Sequence, residues 1–169
     1  MKQTKLYNII LPIWLLVLFP LVWLIVIPGN LIIDCAVLLL TLCTLKHQAK
    51  KDVLKKVWWK FWLLGFAADA VGVLWLLLGM VPATGWLPMS TSFVNLWNDT
   101  VGNIVGNSFS HWTSFLWMLI AVTLAGVCIY FFDKRAMRSC DQLSDREKHI
   151  VALTMAIVTA PWTFFIPMY

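Results

Sequence analysis

The sequence predicts an all-α integral membrane protein: a bundle of five transmembrane helices with an extra amphipathic helix or re-entrant segment on the outer side. Three observations carry this. Hydrophobic residues make up 61% of the chain and charged residues 12%, against about 25% charged in soluble domains. Several apolar runs approach the roughly 20 residues that cross a bilayer as helix. The cations fall in three short segments that border those runs: Lys2 and Lys5; Lys46, Lys50, Lys51, Lys55, Lys56 and Lys60; and Lys134, Arg135, Arg138, Arg146 and Lys148. Neither 30–45 nor 61–133 contains a Lys or Arg, the pattern that arises when alternate loops lie on the positive, inner side. The net charge of +5 therefore reads as topology, and nucleic acid is excluded as a partner.

The first span is expected over 8–27, a retained anchor rather than a cleaved signal, because its apolar run is long and no small-residue cleavage site follows. Pro12 and Pro20 within it free backbone carbonyls that neighbours must satisfy. Pro28-Gly29-Asn30 then suits an outer turn, proline presetting φ and glycine accepting the positive φ of a type II turn. The second span, 31–45, is short. The inner loop 46–56 lacks any Gly or Pro, so its turn must form without a strong breaker. The third span, 57–81, opens with Trp58, Trp59 and Trp62 around Lys60, an interfacial aromatic belt with a snorkelling cation. In 89–110, Phe93, Leu96, Trp97, Val101 and Ile104 recur at helical period. The segment is too polar to span, and Gly102 and Gly106 are its weak points. The fourth span, 112–132, stops at Asp133-Lys134-Arg135, and the inner loop 133–149 follows. Ser144 and Glu147 form a capping box opening the fifth span, 145–168, which Pro161 interrupts. The whole of 1–169 reads as a single membrane domain with its N-terminus inside and its C-terminus outside, in what is expected to be a bacterial cytoplasmic membrane.

Two carboxylates lie inside these spans, where an aspartate costs about 2.5 to 3.5 kcal/mol at a helix centre. Asp69 stands near the middle of the third span beside Gly65, Ala68, Gly72 and Gly79, small residues that share a face and favour close helix packing. It is expected to face protein or a water-filled cavity, with Thr41, Thr44, Thr123, Thr154 and Thr159 as candidate hydroxyl partners. Asp34 is expected one turn into the second span, near the outer boundary, where free helix amides suit a carboxylate. Asn30 lies one turn before it, and His111 is its candidate partner. Ala152, Ala156 and Ala160 form a second small-residue stripe, serving packing within the bundle or between copies.

The remaining residue types say less. Cys35, Cys43, Cys128 and Cys140 show no metal or redox spacing and are expected to pack as small hydrophobes, with Cys140 a candidate for acylation. The tryptophans are read chiefly as interfacial anchors; Trp14, Trp23, Trp75, Trp117 and Trp162 lie deeper and are candidates to line a pocket. No metal or cofactor is implied.

The stretches GNLIID, ending at Asp34, and FAAD, ending at Asp69, are similar over about ten residues to the two aspartate motifs of lipoprotein signal peptidases. The resemblance implies two carboxyls that share a proton and activate water. This chain departs from the pattern: an extra residue precedes Asp34, no Arg follows it, and Phe66 or Ala67 stands where the second motif has Asn. The leading expectation is a channel or transporter subunit with a polar path through Asp69, completed by a homo-oligomer or a partner membrane subunit. The other two are a non-catalytic accessory or regulatory subunit of a larger complex and, third, an intramembrane aspartyl-type hydrolase.

Overall fold

The computed structural model describes residues 20–84, 88–104 and 107–166, and every regular element among them is helical. Five α-helices follow in order: α1 (Pro20–Thr44), α2 (Lys50–Met80), α3 (Thr91–Thr100), α4 (Trp112–Ala136) and α5 (Asp145–Val158). Short 3-10 turns follow α2, α3 and α4, and another, Trp162–Phe165, follows α5 beyond Pro161. Four helical stretches are long and apolar enough to cross a membrane: Leu24–Thr44, Lys50–Met80, Trp112–Ser139 and Asp145–Phe165. Their outward faces carry large apolar side chains such as Leu24, Ile32, Leu40, Leu74, Phe131 and Ile157. So large an apolar surface suits hydrocarbon rather than water, which places the chain among helical membrane proteins.

One expectation is corrected at the outset. The outer turn at Pro28-Gly29-Asn30 does not form, because α1 runs unbroken through it with Pro28 inside the helix. The predicted second span and the 20–27 part of the first are thus one helix, while 8–19 lies outside the described residues. In hydrocarbon a turn exposes peptide groups that nothing hydrates, whereas a helix satisfies them internally, and the few groups that proline disturbs need only local help. Trp62 adds a tie beside the proline, its Nε1 donating to the carbonyl of Ile27 at 3.0 Å. The start of α1 accordingly lies at the end of the bundle opposite the lysines.

The turn between α1 and α2 shows how the chain reverses without glycine. Lys46 adopts a left-handed φ of 54°, while the Lys46 amide donates to Cys43 and the His47 amide to Leu42, each at 3.0 Å. This is a Schellman closure on a lysine, at the roughly 1 kcal/mol that a Cβ costs in that region. Helix α2, 31 residues long, spans about 46 Å at the helical rise. Its lysine-bearing first turns therefore extend past a hydrocarbon core of about 30 Å. Lys60 sits over the Trp59 ring at 5.8 Å; Trp58 and Trp59 are half-exposed, whereas Trp62 turns to α1.

Two apolar clusters hold the helices together. At the basic end, Leu38 and Leu42 of α1 pack with Val53, Val57 and Phe61 of α2 and Val151 and Met155 of α5. At the opposite end, Met118, Ala121 and Val122 of α4 meet Val101, Ile104 and Phe164. The second cluster explains the amphipathic segment: α3 is capped by Ser90, whose hydroxyl accepts from the Phe93 amide, and it gives way to a 3-10 turn at Gly102. Gly106 lies outside the described residues. The capping box of Ser144 and Glu147 opens α5 as expected.

Candidate functional site

The small-residue stripe of α2 positions the site. Side chains built at Gly72 and Gly79 would strike α4 and its neighbours: Cβ would fall 3.2 Å from the Ala121 carbonyl at the first and 2.6 Å from Trp117 Nε1 at the second. Those contacts set α2 and α4 antiparallel at close range. Gly65 opens toward α1 instead, where Asp34 Oδ2 lies 3.8 Å from the place a Cβ would occupy. Ala68 is fully buried. The alanines of α5 turn inward: Ala152 lies in the basic-end core, and Gly126 of α4 would place a Cβ 3.3 Å from the Ala156 carbonyl and 4.0 Å from Ala160. That stripe packs within the bundle.

Asp34 therefore does not sit at an outer boundary beside a helix N-terminus. It projects from the interior of α1, since the fusion of two predicted spans moves it from a helix start to well inside one. Asn30 lies one turn earlier on the same helix. His111 is not its partner: it caps α4 at the other end, its Nδ1 2.7 Å from Thr113 Oγ1 and accepting from the Thr113 amide. The Asp34 to His111 mouth expected from the sequence is absent.

Asp69 stands one turn beyond Gly65, and its Oδ1 is buried without a hydrogen-bond partner. The five threonines that could have served it do not. Thr41 donates to Val37, Thr44 to Thr41, Thr123 to Leu119, Thr154 to Ile150 and Thr159 to Met155, all carbonyls of their own helices. Back-bonding of this kind is the local alternative open to any helical threonine, and sequence cannot exclude it.

A third carboxylate, which the sequence reading placed at the edge of the membrane, joins these two. Helix α4 continues through Asp133 to Ala136, turning Asp133 inward to 1% exposure with Oδ2 buried and unpartnered. Antiparallel pairing puts it about two turns past Ala125, which faces Gly72, and so near the level of Gly65. Helices α1, α2 and α4 thus each carry one aspartate near the same level of the bundle, Asp133 buried and Asp34 and Asp69 partly buried. The available signal was the apolar run before Asp133, which allowed one more helical turn.

Among the described residues no group of three or more His, Cys, Asp or Glu is placed to hold a metal ion. The four cysteines are free, and Cys140 is buried, which suits packing rather than acylation. Trp75 and Trp117 stack at 4.6 Å, forming core between α2 and α4, while Trp162 is half-exposed; Trp14 and Trp23 fall outside the described side chains. Comparison with protein-family models, curated proteins and solved structures gives no match to this chain. What the fold defines is a class: a helical membrane protein, here with three aspartates set within its apolar helices.

Proposed function

We propose that the chain is a small channel or transporter subunit whose polar path includes Asp69 and Asp34. The observation that carries this is Asp69 Oδ1, buried without any donor one turn beyond the Gly65 that faces Asp34, with every candidate threonine turned to its own backbone. Intramembrane carboxylates without structural partners mark ion, proton or substrate paths. The basic end faces the cytoplasm by the positive-inside bias, in a bacterial cytoplasmic membrane, and α5 then directs the C-terminus outward. A second copy or a partner membrane subunit completes the path, since four spans enclose little volume.

Reconstitution tests this. In proteoliposomes, Asp69→Asn is expected to reduce cation flux to that of empty vesicles while helix content and elution volume stay those of the parent. Unchanged flux removes Asp69 from the path.

The accessory-subunit reading draws on α3, where Phe93 and Leu96 are exposed at the end of the bundle and offer a docking face. Purification in mild detergent separates the two: a stable companion of different mass favours the accessory role, a homo-oligomer the channel. The hydrolase reading gains little, because a proton-sharing dyad needs carboxyls in hydrogen-bond contact and Asp34 and Asp69 make none.

A further inference from the structure

We propose that Asp133 is a proton-binding site at the basic end of the path, exchanging protons between the cytoplasmic surface and Asp34. The direction of exchange rests on the transport reading above; occupancy of Asp133 by a proton does not.

Among the described residues no cation pairs with Asp133. Lys134, its neighbour on α4, turns to the Tyr130 hydroxyl at 3.3 Å and over that ring at 5.5 Å. From α2, Lys56 donates to the Ser139 carbonyl and Lys60 reaches the Ser139 hydroxyl. On the α5 side His149 is engaged with Tyr130, and His47 of the α1–α2 turn with Glu147. Asp133 is thus without an ion pair among the described residues. An isolated carboxylate taken out of water into apolar surroundings is prohibitively costly and neutralises instead. With Oδ2 lacking a donor and no multidentate metal arrangement among the described residues, the cation that fits is the smallest one, carried singly on a carboxyl oxygen.

The step is a plain proton transfer. The O–H bond of the Asp133 carboxylic acid breaks as an O–H bond forms on the Asp34 carboxylate, with a water molecule as bridge because the two carboxyls are not in direct contact. Asp133 is left anionic until a proton from the basic end restores it. Passage onward from Asp34 to Asp69, one turn further from that end, repeats the same exchange. Each step moves a proton and nothing else, so no oxidant or co-reactant is required.

The test uses the full chain in liposomes and infrared spectra of protonated carboxyl groups recorded across a pH series. The expected result is a buried carboxylic-acid band that vanishes in Asp133→Asn and reappears at a shifted frequency in Asp133→Glu. Identical spectra for parent and Asn variant overturn the proposal. If the Asn variant fails to assemble, the Glu variant decides alone: a shifted band supports the site and an unshifted one overturns it. In the same vesicles, proton uptake driven by a pH gradient is expected to fall about a hundredfold in Asp133→Asn, the scale of a positioned proton carrier. Uptake untouched by Asp133→Asn but abolished by Asp69→Asn overturns the relay role. If neither substitution alters uptake, the transport reading has failed, and the band still decides whether Asp133 holds a proton.

Discussion

The two ends of the bundle treat buried polar groups in opposite ways. Away from the lysines, the indoles and hydroxyls between α2, α3 and α4 reach carbonyls. Trp75 and Trp117 donate reciprocally to one another's backbone oxygens at 3.2 and 3.3 Å, Trp97 donates to Gly79 at 2.8 Å, and Thr113 and Ser114 both donate to Thr100. Toward the lysines, Asp69 and Asp133 keep carboxyl oxygens with no partner at all. A satisfied polar group in an apolar interior stiffens a structure, whereas an unsatisfied one weakens it. The difference teaches that the first end is built for stability, and that the second retains groups that stability alone gives no reason to keep.

Substitutions at the two ends should therefore move stability in different directions. The largest loss is expected from Trp117→Ala, which removes the stack on Trp75, the edge contact to Trp97 and a hydrogen bond; truncating a large aromatic costs about 3 to 5 kcal/mol when it is fully buried, and the partly buried Trp117 should fall at the lower end. Thermal unfolding in detergent would show it, and a change below 1 kcal/mol would mean that the aromatic cluster is not what locks α2 to α4. Gly79→Val comes next, at about 1 to 3 kcal/mol for overpacking, because its Cβ would collide with Trp117 and, at 2.9 Å, with Ile104. Wild-type stability in that variant would show that the helices can separate at no cost.

The smallest effect, and the one of opposite sign, is expected at the acidic region. Asp133→Asn should leave stability unchanged or raise it by about 1 kcal/mol, since it exchanges an unpaired ionisable group for a neutral one of the same shape. A clear loss in the same unfolding measurement would reveal a structural partner for Asp133 and dissolve the contrast between the ends. Read together with the flux assay on Asp69→Asn, that outcome separates a scaffold from a path.

Much of this was legible beforehand. The helical class, the lysine-rich end, the exposed Trp58 and Trp59, the Ser144 capping box and the close-packing role of Gly72 and Gly79 follow from composition and spacing, because hydrocarbon imposes simple rules on what may touch it. The count of spans did not follow. Pro28-Gly29 carries the same signal whether it turns a chain in water or sits in a helix within lipid, and only the structure shows the second.

The acidic region divides in the same way. The sequence by itself determined that Asp34 and Asp69 lie in apolar surroundings, since burial in a membrane is a property of each segment and its neighbours along the chain. Only the tertiary structure decided that Asp133 joins them, that His111 does not, and that the threonines bond to their own helices. Those outcomes depend on the rotation of one helix against another and on whether a final turn winds before the chain meets water, and both are settled by contacts between residues far apart in sequence.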